Sequence, residues 1–156
     1  MIRLVIAAVL TLATVAAATP AVDHARATRT DTMIEGTVDR LERAGARLAA
    51  GSDAIPTRRR AAVRRVSVRY PSESLTAARP AFLAVGGRPG GPGNRSVVAY
   101  ALESSPTRRR TLSFPVPIRT PDGPVVFRDD GRYSVSIALV AEAGRPTLVV
   151  SRSESP

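Results

Sequence analysis

The stretch that decides the organisation of this chain is LVIAAVLTLATVAAATPAV at residues 4–22, nineteen residues without a charge. Three residues precede it, and Asp23 ends it. A helix needs about 20 mainly apolar residues to cross a bilayer, whereas the apolar part of a secretory signal needs only about 7–15. We therefore interpret 1–22 as a membrane anchor or signal segment, and we favour an anchor that is retained.

Two alternatives to a retained anchor stay open. A small-x-small site at Ala16–Ala18 would release a mature chain beginning at Thr19, so secretion after signal-peptide cleavage is the first alternative. The second is a core helix buried on all sides. It is less favoured, because a chain of 156 residues has little other structure with which to surround such a helix.

The side of the membrane on which the rest of the chain lies is a separate question. Arg3 precedes the apolar stretch and Arg26 and Arg29 follow it, so the count of basic residues favours neither orientation. Because short N-terminal tails usually stay in the cytoplasm, we expect the C-terminal domain outside. Asn94 begins an Asn-Arg-Ser acceptor for N-glycosylation, which is typical of exported proteins, and is therefore a candidate glycosylation site.

An amphipathic helix is predicted directly after the apolar stretch. Ile34, Val38, Leu41 and Leu48 recur four and three residues apart, with Gly45 in the remaining place, so they form one apolar stripe. A capping box formed by residues 32 and 35 and a glycine stop at residue 51 would begin and end such a helix. A helix continuous with the apolar stretch would instead be a stalk of roughly 70 Å.

Beyond this helix the hydrophobic period changes from 3.6 to 2. Residues 51–60 have the Gly, Ser, Asp and Pro content of a linker. Alternating patterns at 66–70, 112–118 and 133–139 and shorter apolar runs at 81–85, 97–102, 124–127 and 147–150 are typical of strands. The predicted class is α+β, with an N-terminal transmembrane and amphipathic helix followed by one antiparallel sheet of about five to seven strands. The predicted segments are 1–22 (anchor or signal), 23–50 (amphipathic helix), 51–60 (linker) and 61–156 (antiparallel β domain), with the helix stripe covering the sheet.

The composition excludes much site chemistry. The chain has no Cys, which excludes disulfides, thiolate nucleophiles and zinc–thiolate sites. Its one histidine, His24, lies at the end of the apolar stretch, far from any serine that it could activate as a base. Asp129 and Asp130 fit a tight hairpin turn better than a cation site, and the glycine-rich loop 86–93 lacks the Lys-Ser/Thr of a phosphate-binding loop. We predict no catalytic, cofactor or metal residue and infer no small-molecule substrate.

Arginine supplies the strongest remaining pattern. The chain carries 23 Lys+Arg against 13 acidic residues, a net charge of +10, and every basic residue is Arg. Two Pro-Thr-Arg-Arg-Arg turns recur, and their candidate contacts to an anionic partner are Arg58, Arg59, Arg60, Arg108, Arg109 and Arg110. Nucleic acid is the less favoured partner, because the six aromatic residues fall mostly on apolar strand faces rather than beside the charge. A solvated basic face and a coding bias towards Arg are the simpler explanations.

An N-terminal apolar helix, an amphipathic extension and a C-terminal antiparallel sheet together resemble the layout of type IV pilins and pseudopilins. The chain also looks like short membrane-anchored proteins of salt-loving archaea. The resemblance lies in the layout and transfers no functional residue. It implies a non-enzymatic, membrane-anchored accessory protein with an extracytoplasmic β domain and protein partners in a pilus or secretion assembly. The alternative is a cytoplasm-facing, Arg-rich module that binds anionic lipid or nucleic acid, and an exported hydrolase ranks third.

Overall fold

The computed structural model describes residues 2–74, 76–103 and 105–153, and Leu4 by its backbone alone. In these ranges a long helix, α1 (Ile2–Gly51), precedes a 3-10 turn (Arg58–Arg60) and eight strands. The strands are β1 (Val63–Tyr70), β2 (Pro80–Val85), β3 (Val97–Leu102), β4 (Arg108–Thr111), β5 (Ile118–Arg119), β6 (Val125–Phe127), β7 (Gly131–Glu142) and β8 (Arg145–Ser153). The predicted α+β class is confirmed, and residues 154–156 of the predicted β domain lie outside the described residues.

The strands form two four-stranded sheets, where the sequence predicted one sheet. Their orders are β1-β7-β8-β5 and β4-β3-β2-β6. All pairs are antiparallel except β5 with β8, which run parallel through Ile118 and Leu148. Alternation along a strand shows which face is buried but does not identify the neighbouring strand, so it could not separate the two sheets.

Helix α1 continues without a break from the apolar stretch into the amphipathic part. Its 50 residues correspond to about 75 Å at 1.5 Å per residue. The predicted capping box at Thr32 is wrong, because its hydroxyl donates back to the carbonyl of Thr28, 3.1 Å away, within the helix. Pro20 lies inside α1 and does not end it.

The predicted apolar stripe is confirmed and forms one side of the core. Ile34, Val38, Leu41 and Leu48 are all buried, and Gly45 is buried between them. Together with residues of both sheets they form a single hydrophobic cluster, and α1 makes most of its sheet contacts with β1 and β7. The helix therefore covers a sheet, as the sequence predicted, and this sheet is the one that contains β1 and β7.

The packed part of α1 begins one helical turn before this stripe. Thr30 is fully buried, and its single hydroxyl hydrogen is shared between the carbonyls of Arg26 at 3.1 Å and Ala78 at 2.8 Å. The second bond ties the segment between β1 and β2 to the helix. A buried hydroxyl needs such a partner, and the contact with the domain extends one turn further to Arg26, whose carbonyl also accepts from the N–H of Ala78 at 3.5 Å.

The predicted strand patterns are confirmed for β1 and β7 and differ between 112 and 118. Val66, Val68 and Tyr70 are buried in β1, and Val135 and Ile137 are buried in β7. Residues 112–117 are not a strand, and only the edge strand β5 forms after them. Pro115 and Pro117 lack the N–H groups that a ladder requires, which explains the short strand at a sheet edge.

Two turns separate the strands in different ways. Ala143 and Gly144 join β7 to β8 with φ of 48° and 75°, the two positive values of a type I′ hairpin. The hairpin predicted at Asp129–Asp130 is wrong, because β6 pairs with β2 whereas β7 pairs with β1 and β8. These two residues therefore connect one sheet to the other.

Candidate functional site

The N-terminal half of α1 stands clear of the β domain. Apart from Leu4, whose side chain is not described, every residue from 2 to 25 is exposed. The exposed large side chains include those of Ile6, Val9 and Leu12, and Leu12 is 73% exposed. The most apolar window of 18 residues has a mean hydropathy of 2.1 with none of it buried, so this helix is long and apolar enough to span a membrane. A signal sequence near an N-terminus passes the same test.

Threonine side chains within the apolar stretch are satisfied by the helix itself. The hydroxyls of Thr11, Thr14 and Thr19 donate to the carbonyls four residues earlier, at 2.9, 2.8 and 2.9 Å. Hydrocarbon supplies no hydrogen-bond partner, so a polar group there must be satisfied internally. The three threonines are therefore compatible with a lipid environment.

One side of the packed half of α1 carries a row of carboxylates that face the second sheet. Asp31, Glu35 and Glu42 lie within about 40° of arc at 100° per residue. Asp31 pairs with Arg108 of β4 and accepts a hydrogen bond from the Tyr100 hydroxyl of β3 at 3.0 Å. Burial, reinforced by this carboxylate, raises the pKa of Tyr100 above its usual value.

The same row continues along the helix. Glu35 pairs with Arg110 of β4, and Glu42 accepts a hydrogen bond from the backbone N–H of Ser113 at 2.7 Å. The hydrogen bond from Arg108 to Asp31 raises the pKa of that guanidinium, which stays charged. Two arginines of the second predicted triplet therefore hold α1 against β4.

Breaking the Asp31–Arg108 pair is expected to weaken this attachment. Asp31→Asn keeps an oxygen for Tyr100 but removes the charge, and a double-mutant cycle with Arg108→Gln should give a coupling of about 0.5–1 kcal/mol. The Arg108 side chain is 45% exposed, so solvent screening keeps the value in this low range. The measurement is the free energy of urea unfolding, with Asp39→Asn on the same helix as the charge-matched control. Equal effects at residues 31 and 39 would contradict the role of the pair.

The remaining arginines of the two triplets lie apart. Arg58 donates to the Ser151 hydroxyl of β8 at 2.5 Å, while Arg59 and Arg60 are exposed on the 3-10 turn. Arg109 lines a depression of about 440 Å³ beside the glycine-rich loop, together with Arg88 and Arg95. The structure thus does not assemble the six predicted residues into one surface, and their contact with an anionic partner stays a prediction.

Asn94 has a structural position at the end of the glycine-rich loop. Its backbone has a φ of 60°, and its N–H donates to the Thr120 hydroxyl at 2.9 Å. In return the N–H of Thr120 donates to the Asn94 side-chain oxygen at 2.8 Å. The residue is exposed, and the two hydrogen bonds do not use its side-chain nitrogen. Glycosylation of this nitrogen stays a prediction.

The residues considered for catalysis or metal binding are not gathered into a site. His24 is exposed on α1, and Asp130 lies 3.7 Å from Arg79 in an ion pair. Asp129 uses its backbone carbonyl to accept the Tyr133 hydroxyl at 2.8 Å. Over the described residues, no three His, Cys, Asp or Glu side chains cluster closely enough to hold a metal ion.

A groove between α1 and β1 gathers arginines that the sequence analysis did not select. It consists of two depressions, of about 750 and 520 Å³, which share Arg40. We call it the arginine groove; its arginines are Arg29, Arg40, Arg43, Arg47, Arg64, Arg65 and Arg69. No carboxylate lines it, and within the described ranges none of the seven pairs with one.

The sequence did contain an indication of this groove. Arg29, Arg40, Arg43 and Arg47 lie within about 60° of arc at 100° per residue, on the side of α1 away from the carboxylate row. The predicted helix segment has no net charge. This total conceals that the arginines of the groove and the row of carboxylates occupy separate faces of the helix. The strand that lies beside the basic face could be known only from the tertiary structure.

Comparison with known proteins adds a family assignment. A family model described as "Domain of unknown function (DUF7311)" matches residues 1–153, which include α1 and both sheets. The chain belongs to this family. No curated protein and no solved structure matches the chain. The family description states no activity and names no pilin.

Proposed function

We propose that the chain is a membrane-anchored, non-enzymatic accessory protein whose β domain stands outside the cytoplasm and contacts partners in a surface assembly. The observation that carries the proposal is the continuity of α1. One half of the helix is an exposed apolar rod, and the other half is a structural part of the domain core.

The dimensions of α1 support an anchor. The nineteen uncharged residues 4–22 extend about 28 Å at 1.5 Å per residue, which matches a hydrocarbon core of about 30 Å. Leaving this surface in water would cost about 25 cal/mol for each Å² of apolar area. Insertion in a bilayer, or packing against the apolar helices of partners, removes that cost.

The rigid connection supports an accessory role in an assembly. No turn separates the apolar half from the packed half, so partners that fix the helix also fix the orientation of both sheets. Type IV pilins and pseudopilins, which the chain resembles in layout, have the same arrangement of apolar helix, amphipathic extension and sheet. The resemblance favours a pilus or secretion assembly as the setting.

The experiment tests retention and orientation together. Cells expressing the full chain with a C-terminal tag are treated with external protease, and the intact mass of the membrane-bound protein is measured from untreated cells. The proposal expects the tag to be lost while a cytoplasmic marker survives, and the mass to include residues 1–22.

Each other outcome would overturn part of the proposal. A tag protected in intact cells but lost after lysis would overturn the outward orientation and favour the cytoplasm-facing module that binds anionic lipid or nucleic acid. A mass that begins at Thr19 would show a cleaved signal and overturn the anchor. Recovery of the protein in the soluble fraction of gently lysed cells would also overturn it.

A further inference from the structure

Strand β1 has a free edge that faces the arginine groove. It is an edge strand of its sheet, and among the described strands it pairs only with β7. The N–H of Leu139 donates to the carbonyl of Ala62 at 3.1 Å, which fixes the alternation of the ladder. Residues 64, 66, 68 and 70 then direct their main-chain groups to β7, and residues 63, 65, 67 and 69 direct theirs outward. In the described ranges these outward groups form no backbone or side-chain hydrogen bond.

The arginines follow this edge along its length. Arg43 and Arg47 line the groove beside residues 62–67, and Arg29 lines it beside Arg69 and Pro71. The helix from 29 to 47 and the eight residues of β1 both extend about 27 Å. The groove is therefore a positively charged channel with one wall of helix and one wall of unpaired strand.

We propose that the arginine groove binds an extended acidic segment of another polypeptide, which adds to the free edge of β1 as a further strand. The outward main-chain groups of residues 63, 65, 67 and 69 pair with the main chain of the segment, as in other cases of strand addition. Carboxylates at alternate positions share one face of the segment and meet the helix arginines with it.

Charge and chemistry favour an acidic polypeptide over the competing occupants. A second copy of this chain carries the same net charge of +10 and is repelled. Nucleic acid would gain from aromatic rings on which bases stack, and none lines the groove. A lipid headgroup or an acidic polysaccharide can neutralise the arginines but offers no repeating main chain to the edge. This inference goes beyond the proposed anchoring role, because it concerns the purified chain whichever way it faces in a membrane.

The test uses the full chain in nanodiscs of zwitterionic lipid. The probe is a labelled peptide of sequence Glu-Val-Glu-Thr-Glu-Val-Glu-Thr, and a matched peptide in which every backbone amide is N-methylated has the same charge but no N–H group to donate on either edge. Fluorescence anisotropy gives each dissociation constant at two salt concentrations. Hydrogen exchange of the native protein, with and without peptide, reports protection of the amides at residues 63, 65, 67 and 69 without any substitution.

We expect Arg43→Gln/Arg47→Gln to weaken binding roughly tenfold, because two partly exposed ion pairs are lost. The charge-matched control Arg128→Gln/Arg145→Gln changes two exposed arginines outside the groove and outside both arginine triplets, and should bind as the native chain does. The native protein should bind the N-methylated peptide more weakly and show the four amides protected by the unmodified peptide. The proposal is overturned by absent binding at low salt, by equal losses in both variants, or by binding without protection of these amides. Tighter binding of a single-stranded oligonucleotide of equal charge would also overturn it.

Discussion

Replacing Leu41 with alanine is expected to lower the free energy of unfolding of the β domain by about 2–5 kcal/mol, the usual cost of removing a buried leucine side chain. Leu41 is 1% exposed and packs in the cluster that joins α1 to both sheets. The same substitution at Leu12, which is 73% exposed, should leave the unfolding free energy unchanged. The two residues lie on one helix and differ only in what surrounds them.

The measurement is urea unfolding of the full chain in a mild detergent, followed by the far-ultraviolet circular dichroism of the sheets. Leu12→Ala is the matched control, because it removes the same atoms and has the same effect on intrinsic helix propensity. Equal losses at both positions would show that the apolar half of α1 also packs on the domain and would contradict the division of the helix. A loss confined to Leu41 supports an anchor that contributes nothing to the core.

The predictable part of this fold is the part controlled by local periodicity. The stripe through Ile34 and Leu48 requires only a period of 3.6, and the alternation in β1 and β7 requires only a period of 2. The break between the patterns at 133–139 and 147–150, where Ala143 and Gly144 form the turn, is local in the same way. These features depend on neighbours within a few positions, so a single sequence contains them.

Features that depend on distant residues were not predictable. The capping box at Thr32 had the right spacing, but a cap acts only where N–H groups are free, and the helix before it leaves none free. The division of the strands into two sheets depends on pairings such as β1 with β7, about 70 residues apart. The arginine triplets were selected because they are consecutive, whereas the arginine groove forms from residues that become neighbours only after folding.

Gly45 is the glycine of α1 with the least room for a side chain. A Cβ atom there would lie 2.5 Å from Cε1 and 2.7 Å from Cδ1 of Phe114, and 3.1 Å from Cδ1 of Leu148. We expect Gly45→Ala to lower the free energy of unfolding by up to about 2 kcal/mol, because overpacking costs about 1–3 kcal/mol and the gain in helix propensity returns about 1 kcal/mol.

Gly36 supplies the matched control on the same helix. A Cβ atom there has its nearest contact, at 3.9 Å, with the flexible end of Arg40, so Gly36→Ala should raise the unfolding free energy by about 0.5–1 kcal/mol. The two substitutions are chemically identical, and the opposite sign isolates the contact with Phe114 from helix propensity. Adding Phe114→Leu to Gly45→Ala should recover part of the loss, since the ring is the obstacle. If Gly45→Ala instead stabilises the protein as Gly36→Ala does, the close approach of α1 to residues 112–117 is wrong, and with it the reason why a glycine interrupts the apolar stripe.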